Sequence, residues 1–349
     1  MDVPGWAWGL TVAAILVMIA IDYVGHVRSP HAPTLRESTW WSVGYVGIAV
    51  LFGGLVWVVW GPPFGGEYFA GYLTEKSLSI DNLFVFVLIM ASFAVPRAYQ
   101  QKVLLVGITV ALALRTVFIF LGAALIENVS WIFYVFGAFL IYTAWAQVRS
   151  SHSEEEFSEN AALRLTRRLF RTTDDYVGDA IVVRREGVRY ITPMLVVMVA
   201  IGTADVIFAV DSIPAIFGLT QQTYLVFTAN AFSLLGLRQL FFLVDGLLDR
   251  LVYLSYGLGI ILAFIGTKLV LHALHTNELP FVNGGRHVAV PEISTGLSLA
   301  VIAGTLTVTT VLSLRRTRRD AERARAAGAA GQDQVAQDDA APTGEAGPR

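Results

Sequence analysis

The sequence predicts an all-α polytopic membrane protein with about nine transmembrane helices and an inverted repeat of three helices. Three observations predict it. Of 349 residues, 55% are hydrophobic and only 15% charged, against about 25% charged in ordinary soluble domains; mean hydropathy is +0.61. Several apolar runs approach or exceed the ~20 residues that cross a bilayer. Two groups of three consecutive runs carry acids, an arginine and a glycine in the same order. The net charge of −2 argues against a nucleic-acid partner. The chain has no cysteine, which excludes disulfides, thiolate metal sites and cysteine nucleophiles.

The elements follow in order. Trp6–Val24 is the first span, with Trp6 and Trp8 as interfacial anchors. The segment before it has no basic region, so it reads as a retained helix and not a cleaved signal. A polar loop with His26, Arg28, His31 and Arg36 leads to span two, Trp40–Trp60. Gly61-Pro-Pro-Phe-Gly-Gly66 reads as a turn. Span three, Tyr68–Phe93, holds Glu75 and Asp81. Pro96–Lys102 reads as a short loop, then come span four, Val103–Ile126, with Arg115 inside it, and span five, Trp131–Val148.

Ser150–Tyr190 is a long hydrophilic segment. Within it Glu154–Phe170 reads as an amphipathic surface helix and Ile181–Tyr190 as a small β-hairpin. Span six is Ile191–Phe217, span seven Tyr224–Val244, span eight Leu251–Leu271 and span nine Ile293–Leu314. His272–Glu292 is a polar loop, and the Ala-, Gly-, Gln- and Asp-rich tail beyond Arg319 reads as disordered. The organisation expected is a two-helix region (1–66), repeat unit 1 (67–148), a cytoplasmic loop (149–190), repeat unit 2 (191–272), an outer loop with the last span (273–314) and a tail (315–349).

Positive charge sets the expected orientation. The Ser150–Tyr190 segment alone holds seven Arg, and alternation from it places the loops with Arg28, Arg36, Arg97, Lys102, Arg250 and the Arg315–Arg319 cluster on the same side. The opposite loops hold one Arg, Arg286. The expectation is a multi-pass protein of the bacterial plasma membrane, in contact with lipid on its outside, with its N-terminus out and C-terminus cytoplasmic.

The repeat pairs Glu75 and Asp81 with Asp205 and Asp211, both at an offset of 130 residues. Ala-Leu-Arg115-x-x-Phe118 matches Gly-Leu-Arg238-x-x-Phe241 at 123, and Gly137 matches Gly257 at 120. Three spans per unit is odd, so the units cross with opposite polarity, as in secondary transporters whose sites lie at the repeat interface.

Four acids inside spans are costly, and ionisable residues there are functional candidates. Residues six apart on a helix are rotated about 120° from stacking and separated by about 9 Å, so neither Glu75 with Asp81 nor Asp205 with Asp211 can chelate one ion from a straight helix. A two-fold axis in the membrane plane would bring Asp81 and Asp211 together, with Glu75 on one side of that pair and Asp205 on the other, a ladder of carboxylates. Asn82 and Ser212 add neutral oxygens beside these acids. Such hard ligands suit Mg²⁺, Ca²⁺ or Mn²⁺ better than Zn²⁺ or Cu⁺. Carboxylates that approach each other titrate together, so taking up a divalent cation would release protons. The competing reading makes Arg115, Arg238 and Lys76 structural neutralisers of these acids.

The motifs Glu75–Phe84, Val95–Gln100, Thr173–Asp179, Asp205–Phe217 and Phe227–Arg238 resemble the TerC/Alx family of integral membrane proteins, from roughly Trp40 to Leu271. The resemblance implies manganese export or homeostasis in bacteria, with intramembrane acids carrying the metal, and its name comes from tellurium-resistance operons. The family pattern places a Glu three residues before the first Asp of span six. Gly202 stands there in this chain, which removes one candidate ligand and charge.

The expected function is therefore a transporter, not an enzyme, exporting a divalent cation, Mn²⁺ first, through Asp81, Asp211, Asp205, Glu75, Asn82 and Ser212, by proton antiport, with no resident cofactor. The alternative is a non-transporting membrane scaffold in tellurite or envelope-stress resistance, working through membrane-protein partners on the 150–190 loop. An intramembrane aspartyl protease ranks below both, because these Asp lack a Gly-x-Gly-Asp context.

Overall fold

In the computed structural model, the described residues are all except 28–32, 130, 151–171, 174, 186–187, 245–252, 278, 280–281 and 340–349. The chain is a bundle of long helices: α1 (Gly5–Asp22), α2 (Leu35–Trp60), α3 (Pro62–Ser92), α4 (Arg97–Asn128), α5 (Ile132–Ser150), α6 (Pro193–Phe217), α7 (Thr223–Leu235), α8 (Leu237–Val244), α9 (Leu254–His275) and α10 (Thr295–Asp339). Among the described residues, eight spans are long and apolar enough to cross a bilayer, α7 and α8 together forming one of them. The 31-residue α3 makes the ninth; Glu67, Glu75, Lys76 and Asp81 lower its hydropathy.

Two expected loops are helical. Gly61 alone turns the chain, at φ 102°, and α3 starts at Pro62. Likewise α4 starts at Arg97, directly after Pro96. Pro62 is the first residue of its helix, where the missing N–H and fixed φ do no harm, whereas Pro96 is the extended residue that precedes α4. The tail expected to be disordered continues α10 as far as Asp339, in keeping with its alanine, arginine, glutamate and glutamine, which are strong helix formers. The amphipathic helix expected over 154–170 lies outside the described residues.

The hairpin is present. β1 (Val182–Arg185) pairs antiparallel with β2 (Val188–Ile191), Val182 opposite Ile191. The segment before it docks on the α3–α4 junction. Tyr176 Oη donates to the Phe93 carbonyl at 2.8 Å, and Lys102 Nζ pairs with Asp179 Oδ2 at 2.8 Å.

The helices around the repeat pack as a two-fold relation requires. That relation exchanges α3 with α6, α4 with α7–α8, and α5 with α9. Accordingly α5 lies along α9, and the α4–α6 contact has its counterpart in α3–α7. Glycines permit the closest approach: a Cβ at Gly137 of α5 would stand 2.9 Å from the Gly266 carbonyl of α9, and one at Gly266 would stand 2.9 Å from the Gly137 carbonyl. α7 forms the centre of the bundle, with every residue from Tyr224 to Leu235 buried. α1 reaches it through Thr11, hydrogen-bonded to Tyr224 Oη at 2.7 Å, and through Trp8 stacked edge-on against the same ring. The outer faces of α1, α2 and α5 expose Trp, Leu, Val and Ile, which suits lipid.

Candidate cation site

The four acids of the repeat fall into two groups. Glu75 of α3 and Asp205 of α6 converge on Arg115 of α4, and all three side chains are buried. The guanidinium grips Asp205 with two bonds, Nε to Oδ2 at 2.7 Å and Nη2 to Oδ1 at 3.0 Å. Its Nη1 donates to Glu75 Oε1 and, at 3.1 Å, to Ser212 Oγ. A fork of this kind matches carboxylate geometry and satisfies the acid it holds. The ladder expected from the sequence, with Glu75 and Asp205 on opposite sides of the central pair, is therefore corrected: they share one cation, and Ser212 sits with them. One orphan remains, since Glu75 Oε2 is buried among the described residues with no hydrogen-bond partner.

Asp81 and Asp211 line a different space. A cavity of about 430 Å³ opens between α3, α5, α6 and α9, and Asp81, Asn82, Thr143, Gln147 and Asp211 form its polar wall among Leu78, Phe139, Phe208 and Leu258. The pairing of Asp81 with Asp211 across the repeat, expected from helix geometry, thus places both at one cavity. Gln147 Nε2 donates to Asp81 Oδ2 at 2.8 Å. Among the described residues no lysine or arginine forms an ion pair with Asp211. Asn82 Nδ2 is buried with no partner. Pro214 lies inside α6 and has no N–H, so it cannot supply the helical bond to the Val210 carbonyl, and Val210 too lines the cavity. Among the described residues no three His, Cys, Asp or Glu side chains group closely enough to clasp a metal alone.

Several partners escaped the sequence reading. Thr143 and Gln147 are polar residues in span five, and their presence in an apolar run was the available signal. Arg238, the counterpart of Arg115, does not meet a repeat acid. Its Nη2 donates to Asp22 Oδ1 of α1 at 2.9 Å and its Nη1 to Gln101 Oε1 of α4 at 2.9 Å. Asp22 is the last residue of α1, and it is buried. Lys76 does not neutralise Glu75; it donates to the Ser233 carbonyl at 3.0 Å. At Gly202, an added Cβ would meet only Val110, at 3.8 Å, so the position has room for a Cβ.

The profile of the family described as "Integral membrane protein TerC family" matches residues 60–321. This chain belongs to the TerC family. An uncharacterized membrane protein of Mycobacterium tuberculosis (strain ATCC 25618 / H37Rv), Rv2723, is 53% identical over 330 residues, covering 93% of this chain and 83% of that protein. An uncharacterized membrane protein of Myxococcus xanthus is 38% identical over 315 residues, covering 90% and 93%. A protein of Escherichia coli (strain K12) with the provisional name membrane-bound redox modulator Alx is 35% identical over 317 residues, covering 88% and 93%. No solved structure matches the chain. As a TerC-family member the chain is an integral, multi-pass membrane protein.

Proposed function

We propose that this TerC-family protein exports a divalent cation, Mn²⁺ first, with Asp81 and Asp211 as its carrying ligands. The observation that carries this reading is that these two repeat-related acids, on α3 and α6, line one cavity. Two carboxylates match the charge of one divalent ion. Asn82, Thr143, Gln147, the Val210 carbonyl and retained water supply neutral oxygens, a set that suits Mn²⁺, Mg²⁺ or Ca²⁺. Glu75, Asp205 and Ser212 act in support: with Arg115 they fix α3, α4 and α6 around the cavity. The protein acts as a carrier rather than an enzyme.

Exchange of the ion for protons follows from the same pair. When the cation leaves, the carboxylates are the groups that take up protons, so efflux couples to proton entry. Positive-inside asymmetry puts the N-terminus outside and the Arg-rich 150–190 loop in the cytoplasm of a bacterial plasma membrane. The chain has no cysteine, so an effect on redox balance of the kind named for the Escherichia coli relative would arise through the metal it moves, not through its own thiols. The test is Mn²⁺ uptake into everted vesicles, with competing Mg²⁺ and Ca²⁺. An acid-inside gradient is expected to drive uptake; vesicles that take up no Mn²⁺ above those lacking the protein contradict the proposal.

A further inference from the structure

The hydrophobic core of the described residues divides in two. The larger part joins α1–α4 and α6–α8, and no residue of α5, α9 or α10 belongs to it. The smaller part is built on α5 and α9, and it meets the larger one through Ala70 and Leu78 of α3 and through Ala215 and Leu219 at the end of α6. The cation cavity opens in that seam, with Asp81 and Asp211 on the larger body and Thr143 and Gln147 of α5 opposite.

Backbone contact ties α5 to α9. Beside the Gly137–Gly266 approach, a Cβ at Gly137 would stand 2.7 Å from Val270, and one at Gly259 would stand 2.8 Å from Val148 and 3.3 Å from the Ala144 carbonyl. Gly137 with Gly259, Ala144 with Gly266 and Val148 with Val270 are each 122 residues apart, so the two-fold relation runs through this pair. On the same spacing, Thr143 and Gln147 correspond to Ile265 and Leu269, but their settings differ. Thr143 and Gln147 face the cavity, which reaches from Asp81 and Asp211 to the last turn of α5, at the hairpin end. Ile265 and Leu269 shut the other end of the seam: a Cβ at Gly218 would stand 2.6 Å from Ile265 and 3.1 Å from Leu269. Equivalent positions are thus open on one side and closed on the other.

We propose that α5 and α9 move as one rigid body against α3 and α6, and that this structure is the state open toward the hairpin end, which positive charge places in the cytoplasm. This rests on the transport reading above. The second state parts Ile265 and Leu269 from Gly218 and brings α5 down onto the cavity, so the ion leaves by the opposite face. Rocking of one packed body against another is how inverted repeats give alternating access around a fixed site. Here the moving body takes one helix from each repeat, and the acids stay on the larger body. Gln147 reaches across the seam to Asp81, so arrival and departure of the ion bear directly on the contact between the two bodies.

The chain has no cysteine, so introduced thiols report alone. Gln221 of the α6–α7 turn meets His272 of α9 across the closed end of the seam, Nε2 to Nε2 at 2.9 Å. With Gln221→Cys and His272→Cys joined by a short bis-methanethiosulfonate linker, Mn²⁺ flux in proteoliposomes should be lost and should return on reduction. Val148→Cys with Ser255→Cys lies one turn beyond the Ala144–Gly259 contact and ties α5 to α9 only; linked, it should keep wild-type flux. Flux that survives the first link, or that the second link abolishes, overturns the rigid pair and leaves the transport reading standing. No flux in the wild type overturns the transport reading, and a second measurement then decides the motion without it. Spin labels at the exposed Val58 of α2 and His275 of α9 should give two distances by pulsed EPR, in proportions that shift with Ca²⁺. A single distance unmoved by Ca²⁺ overturns the moving pair.

Discussion

Glu75 and Asp205 differ from Asp81 and Asp211 by six residues on the same two helices, yet the two pairs do opposite things. The first is buried around Arg115, with both acids bonded to one guanidinium. The second lines a cavity with amides and a hydroxyl. A rotation of about 120° on each helix makes the difference: one set of positions faces α4 and its arginine, the other faces the space beside α5 and α9. Buried charges need a partner. Arg115 fills that need for Glu75 and Asp205, whereas Asp81 and Asp211 are half-buried at the wall of the cavity where the proposed cation would bind. Matched acids in a repeat are therefore not interchangeable, and the partner decides which are structural.

Variants that remove these partners test the comparison, beginning with the largest effect. Arg115→Ala leaves two buried carboxylates without their cation and is expected to cost about 3–5 kcal/mol, read as a large fall in melting temperature in detergent. Adding Glu75→Gln and Asp205→Asn to it should recover part of the loss. A single Arg115→Ala variant as stable as the wild type would falsify the structural assignment. Asp22→Asn removes the charged partner of Arg238 and should cost about 1.5–3 kcal/mol without changing Mn²⁺ affinity, since Asp22 is not among the residues lining the cavity.

Gln147→Leu removes the amide that holds Asp81. Fold stability should be kept while Mn²⁺ binding weakens about tenfold, or ~1.4 kcal/mol; unchanged binding would detach α5 from the site.

The smallest effect lies outside the membrane. The Lys102 ammonium bonded to Asp179 holds that carboxyl below the usual carboxylate range. A depressed carboxyl stabilises the fold above its unfolded pKa and loses that contribution as pH falls through its folded value. Limited proteolysis of the hairpin segment should accordingly speed up below about pH 4. In Asp179→Asn it should be fast at every pH, and the same acid response in that variant would remove the anchor from the account.

Much of this arrangement was legible in the sequence. Hydropathy located the spans, and the order of acid, arginine and glycine exposed the repeat. The six-residue spacing ruled out one-helix chelation and led to the Asp81–Asp211 pairing. The rest needed three dimensions. Sequence spacing cannot say which neighbour a helix face meets, so Arg115 was visible as a neutraliser while its grip on Glu75 and Asp205 together was not. Asp22 sits at the end of a span, where an acid usually meets water, and nothing local marks its burial against Arg238. Pro62 carried two meanings, turn and helix start, and the helical one prevailed.

The most direct test of the central claim compares Mn²⁺ flux in proteoliposomes for the wild type, Asp81→Asn, Asp211→Asn and Gln147→Leu, all matched for folded protein. The account predicts flux lost in both Asn variants and reduced but present in Gln147→Leu. Wild-type flux in Asp211→Asn, or no flux in the wild type itself, would contradict it.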